Sequence, residues 1–125
     1  MRRLRVVLAA GLVAGLSVLG LVGPVTTATA QMTPTWTANI GPLFAANCTN
    51  CHSGAGRAGL RLNTYANAIA GGNSGPALIA GNPAGSLLMQ RITGQVPPQM
   101  PRGGTPLSAA DIAMVAAWIQ AGMPE

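Results

Sequence analysis

The chain has 125 residues, 49% of them hydrophobic and only 3% aromatic, with seven basic side chains against two acidic ones. That length leaves room for one domain. Every basic residue is arginine, and Arg2, Arg3 and Arg5 precede an apolar run from Val6 to Val22, so much of the +5 charge belongs to the N-terminus. Residues 31–125 hold Arg57, Arg61, Arg91 and Arg102 against Asp111 and Glu125, a net +2 that excludes nucleic acid as the leading partner.

The N-terminus reads as an address. A basic start, a short apolar run, Pro24 and the small-x-small pattern Ala28-Thr29-Ala30 make a secretory signal peptide over residues 1–30. The alternative is an uncleaved anchor, because about 17 apolar residues is the lower limit for spanning a bilayer. Either way the rest of the chain is exported to the periplasm, and once the signal is cleaved the mature chain has no membrane span. The Arg2-Arg3 pair lacks the polar surroundings of a twin-arginine signal, which favours the general secretory route.

Residues 31–125 are predicted to form one all-α domain of about four short helices, with no convincing alternating strand. The first covers roughly Trp36 to Asn47, with Ile40, Leu43 and Phe44 at helical spacing and a kink at Gly41-Pro42. A second begins after Asn63, its N-cap, passes through Tyr65 and Ile69 and stops at Gly71-Gly72. The third opens at Asn82-Pro83, a cap followed by proline at the first helical position, carries Leu87, Leu88, Met89 and Ile92, and ends at Gly94. The last starts at Ser108, with Asp111 at the capping-box position, turns Ile112, Val115, Trp118 and Ile119 inward, and stops at Gly122 after roughly fourteen residues.

Four aromatic residues, Trp36, Phe44, Tyr65 and Trp118, make a thin core for a domain this small. Cys48 and Cys51 are too close in sequence to close a stabilising loop, so a metal or cofactor is expected to complete the interior. Cys48-Thr49-Asn50-Cys51-His52 is CxxCH, the attachment motif for c-type haem, and it holds both cysteines and the single histidine of the chain. The spacing puts two thiols on one turn for addition to the porphyrin vinyl groups and makes His52 the first iron ligand. A structural zinc site needs a fourth ligand that the chain does not offer. A thioredoxin-like CxxC belongs to a strand-rich context that is missing here.

Gly54-Ala55-Gly56-Arg57-Ala58-Gly59 matches GxGxxG formally, but it follows no strand and no acidic residue lies about twenty positions on. It reads instead as a turn that lets the backbone pass close to the haem edge. The second axial ligand is sought among the methionines. Met100 sits in Pro97-Pro98-Gln99-Met100-Pro101, an extended loop stiffened by three prolines, and is favoured. Met89 and Met114 fall within helical apolar patterns as packing, and Met123 falls in a frayed C-terminus.

With these motifs in hand, the chain resembles the small bacterial single-haem c-type cytochromes over about residues 36–124. The resemblance rests on CxxCH, Gly59-Leu60-Arg61-Leu62, Gly81-Asn82-Pro83 with Ser86-Leu87-Leu88, Met100-Pro101-Arg102-Gly103-Gly104 and Trp118-Ile119-Gln120-Ala121-Gly122. It implies a cytochrome c domain over residues 31–125, Met100 as the distal ligand, and a first helix crossed by the last. The chain departs from mitochondrial cytochrome c in having no lysine, so a lysine ring for docking is absent.

The expected product is a monomeric periplasmic carrier with one covalently attached haem c, its iron ligated by His52 and Met100, exchanging single electrons with donor and acceptor proteins. It is expected not to be an enzyme. Two other readings stand beside this one: a cytochrome subunit of a larger dehydrogenase or reductase complex, and a five-coordinate haem peroxidase or gas-binding protein. The last would need a distal acid–base residue, and there is no second histidine. Arg57, Arg61 and Arg102 are candidate partners for the haem propionates.

Overall fold

The computed structural model describes Gly23 and residues 31–125; the expected signal peptide, residues 1–30, otherwise lies outside the described residues. Residues 31–125 form a compact helical unit. Its elements are a π-helical segment Trp36–Ile40 running into α1 (Gly41–Asn47), a 3-10 turn Arg57–Gly59, α2 (Tyr65–Ala70), α3 (Leu87–Ile92) and α4 (Ala109–Gln120). There is no strand among the described residues, only an isolated bridge between Gly72 and Gly75. The all-α expectation is met. No helix among the described residues is long and apolar enough to cross a membrane.

The expected kink at Gly41-Pro42 is a change of helical register. Gly41 N–H bonds to the Trp36 carbonyl, five residues back, and proline follows with no N–H to donate, so the chain enters α1 with its hydrogen-bond ladder already shifted. Thr35 caps this first segment, its hydroxyl accepting from Ala38 N–H. α2 starts one residue later than predicted, because Thr64 and not Asn63 accepts from Asn67 N–H.

α3 is shorter than predicted. Asn82 does not cap a helix: its side chain accepts from Gly85 N–H across a turn, and helical geometry begins only at Leu87. The fully buried Ser86 hydroxyl is occupied sideways, accepting from Ile79 N–H and donating to the Asn82 carbonyl. It ties the preceding loop to α3 instead of capping the helix. In α4, Ser108 does cap, accepting from Asp111 N–H and donating to the Asp111 carboxylate.

The core gathers residues from every part of the unit: Ile40, Phe44, Leu62, Leu88, Ile92, Val115, Trp118 and Ile119 are buried, with Trp36 at their edge. α4 packs against α3 and against the Trp36–Ile40 segment, which realises the expected pairing of first and last helices. Trp36 sits centrally among the aromatics, with ring centroids 5.7 Å from Phe44, 5.9 Å from Tyr65 and 6.0 Å from Trp118.

The C-terminus is not frayed. Pro124 carbonyl accepts from Trp36 N–H and Trp118 Nε1–H, and Met123 carbonyl accepts from the Tyr65 hydroxyl, so Met123 is buried. The polar edges of two aromatics, Trp118 and Tyr65, need acceptors inside a small core, and the terminal main chain supplies them. Trp118→Ala removes the largest fully buried side chain together with one of these bonds. A loss of about 3–5 kcal/mol is expected, read by denaturant unfolding of the cofactor-loaded protein. A loss below about 1 kcal/mol would mean that the core does not depend on this contact.

Candidate functional site

The CxxCH segment continues the turn of α1. Cys48 and Thr49 N–H both bond to the Phe44 carbonyl, and Cys51 and His52 N–H both bond back to the Cys48 carbonyl. This coil keeps both thiols and the imidazole on one short arc. The following chain then folds back, with Arg57 N–H on the Cys51 carbonyl at 3.1 Å and Leu62 N–H on the His52 carbonyl at 2.7 Å.

The fold-back positions His52. Its Nδ1 lies 3.1 Å from the Leu60 carbonyl, which can only accept, so Nδ1 carries the proton and the Nε2 lone pair is left for a metal. A backbone carbonyl on the far ring nitrogen is the usual way a protein orients a metal-binding imidazole and raises its basicity. The glycines of the Gly54-to-Gly59 stretch are what allow this. Gly56 takes φ +66°, and a Cβ there would collide with the Leu60 carbonyl oxygen itself.

Cys48, Cys51, His52 and Met100 all line one cavity of about 460 Å³. A volume of this order suits a bound cofactor. Phe44, Leu60, Leu62, Leu88 and Ile92 contribute apolar walls. Met100, half-buried, is the one methionine among those described that reaches this cavity. Met89 and Met123 are buried in the core, Met114 lines a separate groove with residues 31–35, and Met32 is exposed.

The loop carrying Met100 is a series of bends and not an extended strand, because the end of α3 grips it at several points. Met100 N–H bonds to the Arg91 carbonyl at 2.9 Å, Val96 N–H to the Gln90 carbonyl, and Gln99 Nε2 to the Ile92 carbonyl.

Electrostatics at the cavity are one-signed. Arg57, Arg91 and Arg102 line it, and Arg61, Asp111 and Glu125 do not. Arg91 was missed in the sequence, where it stands as one polar residue among the apolar residues of a helix. Its place at the cavity follows from lying on the same helix as the wall residues Leu88 and Ile92.

Cys48 lies in a setting that disfavours the thiolate. Burial pushes the Cys48 thiol up to about 11 from an ordinary 9.0, so it is protonated at neutral pH. A redox or metal-binding cysteine has the opposite environment, one that favours thiolate. Both cysteines are free, and no three His, Cys, Asp or Glu side chains among the described residues converge to chelate an ion. An apolar cavity with two thiols at its wall, an imidazole with its Nε2 lone pair unengaged, a thioether and an arginine-lined rim fits a haem carrying two propionates.

Residues 48–103 match the family model of the Planctomycete cytochrome C, a stretch that runs from the first cysteine of CxxCH past Met100. The chain carries a c-type cytochrome domain. No curated protein and no solved structure is matched by the chain. Such a cytochrome domain holds haem c, with its iron, through covalent bonds and works in electron transfer with redox partners.

Proposed function

We propose that this cytochrome is a monomeric, periplasmic one-electron carrier, exported by residues 1–30, with a single haem c joined through Cys48 and Cys51 and its iron ligated by His52 and Met100. The observation that carries the reading is the shared cavity: Met100, far along the chain from Cys48, Cys51 and His52, lines one space of cofactor size with them. When bound, haem supplies a reversible one-electron iron couple.

The chain's own residues set the terms for that couple. The Leu60 carbonyl fixes the His52 ring through Nδ1, so Nε2 is presented as a neutral donor. The Met100 thioether is a soft, weak donor that favours the reduced iron and raises the potential relative to two histidines. With His52 and Met100 both holding the iron, no site would be left open for substrate, which supports electron carriage over peroxidase or gas-binding chemistry. The apolar walls exclude water and anchor the ring.

The test is the absorption spectrum and mass of the mature protein expressed with cytochrome c maturation proteins. One haem mass added to residues 31–125 and a low-spin reduced spectrum are expected. A spectrum of five-coordinate high-spin iron would reject the carrier reading.

Docking is expected through the exposed edge of the cavity. Cys51, Ala58 and Pro98 line it while exposed, beside the exposed Arg57 and Arg102, and the net +2 of residues 31–125 is offset by two propionates. Little field remains for steering, so the second-order rate with a physiological partner should change little between about 0.01 and 0.2 M salt. A fall of about tenfold or more over that range would point to a local charge cluster instead.

A further inference from the structure

The loop Val96–Pro101 has little means of holding itself. Pro97, Pro98 and Pro101 have no N–H, so its donors are Val96, Gln99 and Met100, and the Val96 and Met100 N–H groups are already given to α3 carbonyls. Its carbonyls therefore depend on donors from outside. Gly104 N–H serves the Pro101 carbonyl, and Arg91 serves the proline pair: its Nη1 donates to the Pro97 carbonyl and lies 3.5 Å from the Pro98 carbonyl. The main chain of the same residue accepts from Met100 N–H at 2.9 Å. One residue of α3 thus grips the loop at two points, its proline end and the Met100 N–H.

We propose that Arg91 is the positioning residue that keeps Met100 at the cavity, its guanidinium holding the proline end of the loop while its carbonyl holds the methionine itself. The proposal rests on Met100 being an iron ligand. A guanidinium suits the task because a single nitrogen, here Nη1, carries two N–H groups and can offer charge-assisted bonds to two neighbouring carbonyls. Neither Asp111 nor Glu125 lines the cavity to draw it away.

The two grips are separable by mutation. Any substitution at position 91 keeps the carbonyl, so a variant loses only the bonds to Pro97 and Pro98. The loop then stays attached at Met100 N–H but loosens at its proline end, and the thioether spends more time detached from the iron. An added ligand binds in proportion to that detached fraction.

The experiment titrates the oxidised, haem-loaded protein with imidazole, for wild type, Arg91→Gln, Arg91→Lys and Met100→Ala. Arg91→Gln should bind imidazole about tenfold more tightly than wild type, the loss of charge-assisted bonds appearing as a larger detached fraction. Arg91→Lys, with one point donor, should fall between them, at roughly threefold. Met100→Ala should bind most tightly. A purely structural Arg91 would lower the unfolding temperature without moving imidazole affinity, and that result overturns the proposal. If Arg91→Gln fails to fold, Arg91→Lys decides alone: wild-type affinity in it overturns the proposal as well. Wild-type affinity in Met100→Ala would instead remove Met100 as ligand, and the role of Arg91 with it.

Discussion

Met100→Ala should strip the oxidised protein of the weak red charge-transfer band of sulfur-ligated ferric haem. The same variant should lower the reduction potential by on the order of 0.1 V and open the reduced iron to carbon monoxide. The expectation rests on where the methionines lie. Met100 lines the cavity with His52, while Met89 and Met123 are buried in the core and Met114 faces a separate groove. The side chain is half-buried and its loop is tied to α3 through the backbone, so the fold should survive its removal. An unchanged Met100→Ala spectrum, with the band lost in Met89→Ala or Met114→Ala, would show that the ligand had been misassigned.

Replacing both Cys48 and Cys51 with alanine should have the largest effect of all. Denaturing gels stained for haem peroxidase activity should show a band for the wild-type mature chain and none for the double variant. Stability should fall with attachment. The cavity is bounded by Phe44, Leu60, Leu62, Leu88 and Ile92, and without the cofactor these side chains lose their packing partner. A small domain with four aromatic residues has little else to replace it, so the double variant should lose its cooperative thermal transition. A wild-type chain that stays unstained when cytochrome c maturation proteins are present would reject covalent attachment, and with it the reading of Cys48 and Cys51.

The chemistry of the site was legible because it is local. CxxCH needs only the spacing of one helical turn, and Cys48, Cys51 and His52 keep that spacing in any context. Ser108 was equally legible as a cap, since its partner Asp111 lies three residues away. Asn82 misled because an Asx turn and a helix N-terminus use the same side chain and the same offset. What separates them is whether Ser86 is free to continue the helix, and its hydroxyl is claimed by Ile79 N–H from outside the segment.

Sequence by itself determined the all-α class, the haem motif, the helix that ends at it and the apolar face of α4, all properties of residues within a turn or two of one another. Tertiary structure alone decided the rest. The Leu60 carbonyl that sets the His52 tautomer, the buried Met123 held by Tyr65, and Arg91 reaching Pro97 each join groups that no short-range spacing rule connects. The physical reason is that these bonds are made by main-chain carbonyls. Every residue carries one, so composition and spacing give no sign of which carbonyl will meet which donor until the chain has folded.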